Sequence, residues 1–248
     1  MSEPIRISAS GFAEFVTSSS RSRANKLRPF KFRNKGEGAG RSSYYQWALK
    51  AIRAYHRANQ DEKVFERALE EIQHALGGTA KRLASTKLKQ NQMAIEAYRE
   101  MYGKRRFVIR KNHRLACKIG PVTVTAQPDL WVEENGTNVL LKIGLARKGT
   151  EFVKVLLFII HEAAVASGYG IGARNVVYLD IDSGVERTCD DRGGNYSSLF
   201  RAGAHARLQQ FGRLFSARRR APHPMSLNVC VLLQRVVTVS EFLDVIAV

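Results

Sequence analysis

The sequence predicts an α/β protein: a mixed central sheet flanked by helices, with an N-terminal helical subdomain. Three features lead there. Apolar residues recur at helical spacing as far as Gly103 and then begin to alternate with charged ones. A long, almost wholly apolar helix separates two apolar strands, as helices packed on a sheet do. Glycine, proline and asparagine stand where the period changes. The 248 residues then divide into a basic arm or loop with a possible first core element (1–43), a helical subdomain (44–103), and an α/β core ending in a basic helix and a strand (104–248).

The stretch from Thr17 to Ser43 has almost no apolar periodicity and is dense in cations: Arg21, Arg23, Lys26, Arg28, Lys31, Arg33, Lys35 and Arg41, with Phe30 and Phe32 between them. Cations interleaved with aromatic rings can track phosphates while stacking on bases. The same composition also suits a solvated loop anchored by two phenylalanines. Three helices follow. Tyr44, Trp47, Ala48, Ile52 and Tyr55 share one face behind Ser42 and Ser43 as caps. From Asp61, a second face carries Val64, Phe65, Leu69, Ile72 and Leu76 and stops at Gly77 and Gly78. A third helix starts near Thr79, carries Leu83, Leu88, Met93, Ile95 and Tyr98, and ends at Gly103.

Beyond Gly103 the period is 2. Phe107 and Ile109, then Leu115, Cys117 and Ile119, alternate with Arg106, Arg110, Arg114 and Lys118, the pattern of half-buried strands. A turn at Gly120–Pro121 leads to Val122, Val124 and Ala126, and then to Pro128, Asp129, Leu130, Trp131 and Val132. Glu134–Asn135–Gly136 signals a hairpin into Val139 to Ile143, so the region reads as an antiparallel meander. The apolar helix from Thr150 to Ser167 and a strand from Asn175 to Ile181 complete the alternation. A basic helix from Arg201 to Arg220, a break at Pro222 and Pro224, and a strand from Leu227 to Leu233 close the chain.

Forty Lys and Arg face 22 Asp and Glu, a formal charge of +18. Such an imbalance repels itself unless a polyanion offsets it, which makes a phosphate backbone the leading partner, ahead of an anionic membrane or an acidic protein. No run approaches the ~20 apolar residues of a membrane helix. The opening residues MSEPIRISAS place an acid and a proline where a signal peptide has its apolar stretch, and Cys117, Cys189 and Cys230 are an odd set at wide spacing. A reducing cytoplasm and buried structural thiols fit these facts. SGYGIGARN follows a helix and precedes a strand, the reverse of a dinucleotide fingerprint.

The order strand ending in Pro128–Asp129, hairpin, Leu140–Leu141–Lys142–Ile143–Gly144, long helix, strand resembles the core of the PD-(D/E)XK nuclease superfamily, most closely its RecB-like branch. The N-terminal ISASGFAEF is similar to that branch's Ser-rich opening motif. The resemblance implies a restriction-endonuclease-like core, nucleic acid as partner with DNA ahead of RNA, and, in an active member, Mg²⁺ held by an Asp and a second acid while a Lys assists the attacking water. Hydrolysis of a phosphodiester uses such a metal to polarise the phosphate and to acidify water, and hard carboxylate oxygens hold it.

Asp129 matches the first acid and is the candidate metal ligand. Thirteen residues on, Lys142 stands where the second acid belongs, and Gly144 stands where the lysine belongs. Migrated groups would have to restore the site: Glu151 and Lys154 of the following helix, with His161 on the same face, or Glu133, Glu134, Asp180 or Asp182 as a second carboxylate. The catalytic candidates are therefore Asp129, Lys142, Glu151 and Lys154. Arg21, Arg23, Lys26, Arg28, Lys31 and Arg33 of the arm join Lys104, Arg105, Arg106 and Arg218, Arg219, Arg220 as candidates for phosphate contact. Three functions are consistent with this pattern: a nuclease fold that binds without cutting, a Mg²⁺-dependent nuclease with displaced groups, and a basic scaffold for nucleic acid within a larger protein assembly. Cofactor use differs accordingly, Mg²⁺ in the second case and none in the others.

Overall fold

The computed structural model of the chain describes residues 5–19, 22, 45–77, 82–119 and 122–190. Strand β1 (Ile5–Ser8) runs directly into helix α1 (Ala9–Thr17), and Ser8 is the hinge. Its backbone is extended and its Oγ accepts the Gly11 N–H at 3.1 Å, so one residue ends the strand and caps the helix. Helices α2 (Gln46–Arg57), α3 (Lys63–Gly77) and α4 (Arg82–Tyr102) come next. The strands are β2 (Val108–Ile109), β3 (Leu115–Ile119), β4 (Val122–Ala126), β5 (Leu130–Glu134) and β6 (Thr137–Gly144). Helix α5 (Thr150–Ala166) and a 3-10 turn (Ala173–Asn175) precede β7 (Val176–Asp180) and β8 (Val185–Thr188).

The expected antiparallel meander is divided between two sheets. β3 and β4 pair antiparallel, but β4 takes β1 as a parallel neighbour on its other side, giving the order β1-β4-β3. β5 and β6 belong to a second sheet, β2-β5-β6-β7-β8. The division falls at Gln127–Pro128. Proline has no N–H to offer a ladder, so the β4 pairing stops at Ala126 and a new one starts where the Asp129 N–H reaches the Leu141 carbonyl at 2.8 Å. The β5–β6 turn has Asn135 at φ 51° and Gly136 at φ 77°, the two positive values that a type I′ hairpin requires. β6 and β7 are parallel, with α5 as the crossover. β8, whose VERT residues are exposed or half-buried, returns antiparallel at the edge.

The second sheet separates two apolar cores. Alternation along β5, β6 and β7 sends Trp131, Leu140, Val176 and Tyr178 to one face, against α1, α5 and the buried side of the first sheet. Leu130, Val132, Leu141, Ile143 and Leu179 go to the other face, against Ile52, Phe65, Ile72, Ile95 and Tyr98 of α2, α3 and α4. The helices of 44–103 thus form one layer of the α/β unit and share its core. The protein is α/β, with mixed sheets flanked by helices. Among the described residues no helix is long and apolar enough to cross a membrane. Arg21, Arg23, Lys26, Arg28, Lys31 and Arg33 of the arm, the Arg201 to Arg220 helix with Arg218, Arg219 and Arg220, and the Leu227 to Leu233 strand lie outside the described residues.

Candidate functional site

The two-residue turn at Asn135–Gly136 sets Leu130 opposite Leu141, so Asp129, one residue before β5, falls beside Lys142. The contacts are close. Lys142 Nζ lies 3.1 Å from Asp129 Oδ1 and 3.0 Å from Oδ2, and Oδ2 also accepts the Ile143 N–H at 2.9 Å. That amide lies beyond the start of β5, so the Asp129 carboxylate supplies the acceptor that no strand backbone provides there. The Asp129 side chain is 10% exposed and that of Lys142 23%, which makes this a partly desolvated ion pair.

Around the pair is a cleft of about 490 Å³ at the junction of the two sheets. Arg53 of α2 enters it and donates from Nε to the Asp129 backbone carbonyl at 2.9 Å. Arg114, just before β3, also lines it, as do Leu156 and Ile160 of α5. The first turn of α1 (Ser8 to Ser10) and Gln46 at the start of α2 also line it. Neither helix has an acid in its first turn, so both present the positive ends of their dipoles. The cleft holds three cationic side chains against one carboxylate, and that carboxylate is already paired. Such a site favours an anion.

The glycine of the motif is equally specific. Lys142 and Gly144 point the same way from β6, and across the parallel ladder Lys142 stands opposite Tyr178. A Cβ built at Gly144 would overlap the hydroxyl and ring edge of Tyr178, which is 2% exposed. The phenol therefore fills the space of the missing side chain. Burial, then the nearby charges of Asp180 and Asp129, push the Tyr178 hydroxyl up to about 12. Gly144→Ala is expected to cost about 1–3 kcal/mol of stability through overpacking. In the background Tyr178→Val the same change is expected to cost well under half of that, checked by urea unfolding of the four proteins.

Other sequence candidates are placed elsewhere. Glu151 pairs with Lys154 at 3.1 Å on the first turns of α5, and neither lines the cleft. His161 is half-buried and 3.9 Å from Glu162. Glu134 is taken by Arg105, whose guanidinium also reaches Glu186 at 2.5 Å and lies over Phe107. Arg105 thus ties β5 and β8 to the end of α4 and is committed to structure; its hydrogen bond to Glu134, chiefly, raises its pKa. Glu133 pairs with Arg110. Asp180 is buried and spends Oδ1 on the Asp182 N–H, closing its own turn. Lys104 and Arg106 line a separate concavity together with Glu62, Glu96 and Glu100, where the charges are mixed.

These placements bear on a divalent metal. Both Asp129 oxygens are engaged and its charged partner is an ammonium; among the described residues no group of three or more His, Cys, Asp or Glu side chains could hold an ion. The residues do not fit Mg²⁺, because Lys142 occupies the electrostatic role the ion would have. Two cations of the cleft were not singled out by sequence reading: Arg114, which appeared only among the alternating strand charges, and Arg53. Arg53 sits on a helix whose apolar face was recognised, and nothing in QWALKAIRAYHR marks this arginine as different from Arg57. Comparison with family models, with curated proteins and with solved structures returns no match to this chain.

Proposed function

We propose that this chain is a nucleic-acid-binding protein, built on a core like that of the PD-(D/E)XK nucleases, which binds phosphodiesters without cleaving them. One observation carries the reading: the Lys142 ammonium spans both oxygens of Asp129 within a cleft whose other charges, Arg53 and Arg114, are cationic. A cleft of this kind attracts phosphate and lacks the carboxylate pair that metal-dependent hydrolysis uses. DNA stands ahead of RNA because the resemblance in Pro128–Asp129 and Leu140 to Gly144 is to a DNA-processing branch. The overall charge of +18 supports a polyanionic partner.

The test is binding and cleavage measured together. Labelled single- and double-stranded DNA and RNA are incubated with the protein, with and without Mg²⁺ or Mn²⁺, at about 50 and about 200 mM salt. The expected result is binding that weakens steeply with salt and no metal-dependent cleavage. Arg53→Gln with Arg114→Gln is expected to weaken binding about 10-fold or more, since each lost phosphate contact removes counterion release as well as Coulomb attraction. Cleavage that a chelator stops and Asp129→Ala abolishes would overturn the reading. So would an absence of binding at the lower salt.

A further inference from the structure

The first sheet has one buried face and one open face. Ile7, Leu115, Cys117, Val122 and Val124 point into the core, while Arg6, Ser8, Ala116 and Lys118 are exposed and Thr123 and Thr125 half-exposed between them. The three strands, IRIS, LACKI and VTVTA, contain no acidic residue. Register orders the open face into rows. Arg6 lies opposite Thr123, which lies opposite Lys118; two residues along, Ser8 lies opposite Thr125, which lies opposite Ala116. Strand spacing puts the two cations about 10 Å apart across the sheet, and residue rise puts the two rows about 7 Å apart. Ser8 and Thr125 of the nearer row are themselves in the lining of the Asp129 cleft.

We propose that this open face is a backbone track for nucleic acid, leading a strand into the cleft past Ser8 and Thr125, with Arg6 and Lys118 as its outer phosphate contacts. The proposal rests on the reading of the cleft as a phosphate site and extends it by one row. Charge complementarity favours the occupant: cations and hydroxyls line the face, and none of the strand residues is opposed by a carboxylate there. Among the described residues neither Arg6 nor Lys118 is held in an ion pair, whereas Arg105 and Arg110 are. The described strand residues of this face include no aromatic ring, so they can hold phosphates and cannot stack bases; recognition along them is independent of sequence.

The experiment uses the full chain and two fluorescein-labelled single strands, one of about 6 nucleotides, to fill the cleft alone, and one of about 20, to reach the sheet. Arg6→Gln with Lys118→Gln is expected to weaken the longer strand about 10-fold at 50 mM salt and to lower its log–log salt slope by about 1.4, two contacts at ~0.7 each for a single strand. The shorter strand should bind as to wild type. Arg6→Lys with Lys118→Arg, which keeps both charges, should bind the longer strand like wild type. Both pairs of substitutions are at exposed positions, and unchanged thermal midpoints confirm that the fold is intact. An unaltered slope for the longer strand in the glutamine variant overturns the track. If the Arg53 and Arg114 variant weakens binding while the Arg6 and Lys118 variant does not, the track fails and the cleft stands. If the sheet variant weakens binding and the cleft variant does not, the cleft reading fails and the sheet face is the binding surface. No binding by wild type overturns both.

Discussion

Lys142→Met is expected to lower the unfolding free energy by about 3 kcal/mol at neutral pH. The figure follows from what the substitution leaves behind. Removing one member of a buried ion pair strands the other, and the cost of an uncompensated buried charge is about 3–5 kcal/mol. The lower end applies because the Asp129 side chain retains 10% exposure and keeps the Ile143 N–H as a donor. Lys142→Glu is expected to be worse, since it adds a like charge beside the first. Asp129→Asn in the Lys142→Met background is expected to recover most of the loss: the amide oxygen still accepts from Ile143 and no charge remains unpaired. Urea unfolding of wild type, Lys142→Met, Asp129→Asn and the double variant gives the coupling between the two side chains. A coupling below about 0.5 kcal/mol would mean that the pair is solvated and that the ammonium does not stand in for a metal ion.

The proximity of Asp129 and Lys142 was legible because two local rules determine it. Asn135–Gly136 specifies a two-residue hairpin, and a two-residue hairpin fixes register, so residues thirteen apart come side by side without any tertiary information. The apolar helix and the strand that follows it were equally plain as elements, because a mostly buried segment leaves a nearly continuous apolar signature, although the parallel pairing they create was not. Three further features were not legible, for different reasons. The chain leaves one sheet for another at Pro128, and period-2 alternation is identical in both sheets, so a meander and a split cannot be distinguished by pattern. Strand β1 lies beside β4 at a separation of more than a hundred residues, and no local signal encodes that pairing. Arg53 enters the site only because α2 packs on the second sheet at an angle that brings it to the Asp129 carbonyl, a fact about packing and not about helix periodicity. Among the cations expected to contact phosphate, Arg105 has ion-pair partners that the sequence conceals for a related reason. A run of Lys104, Arg105 and Arg106 looks uniform in sequence, yet the middle residue faces Glu134 and Glu186 across the sheet edge.

The second large effect is a loss of stability in mild acid, carried by His56. Its ring is 3% exposed, set between Tyr55, Tyr98 and Phe107, with Nε2 at 2.7 Å from the Tyr98 hydroxyl. Nδ1 is buried and, among the described residues, has no hydrogen-bond partner. Burial, with a smaller contribution from the Arg105 charge, lowers its pKa to about 4. The direction of the effect follows from which state takes the proton. Above pH ~6.5 the imidazole is neutral in the folded and the unfolded chain and contributes nothing to the pH dependence. As pH falls below that value the unfolded chain binds a proton that the folded one refuses, so stability drops by about 1.4 kcal/mol per pH unit until the folded pKa is reached, about 3 kcal/mol in all. His56→Phe removes the titrating group and keeps an aromatic ring against Phe107, although the Tyr98 hydroxyl loses its partner, so the variant is expected to be less stable at pH 7. Its stability should nevertheless fall less between pH 6.5 and pH 4 than that of wild type, by the amount His56 contributes. Carboxylates that titrate near pH 4 act in both proteins and cancel in the difference. Parallel stability curves for the two proteins over this window would show that the His56 ring takes up its proton in the folded state at an ordinary pH, and that the core between α2 and α4 admits a charge there without loss.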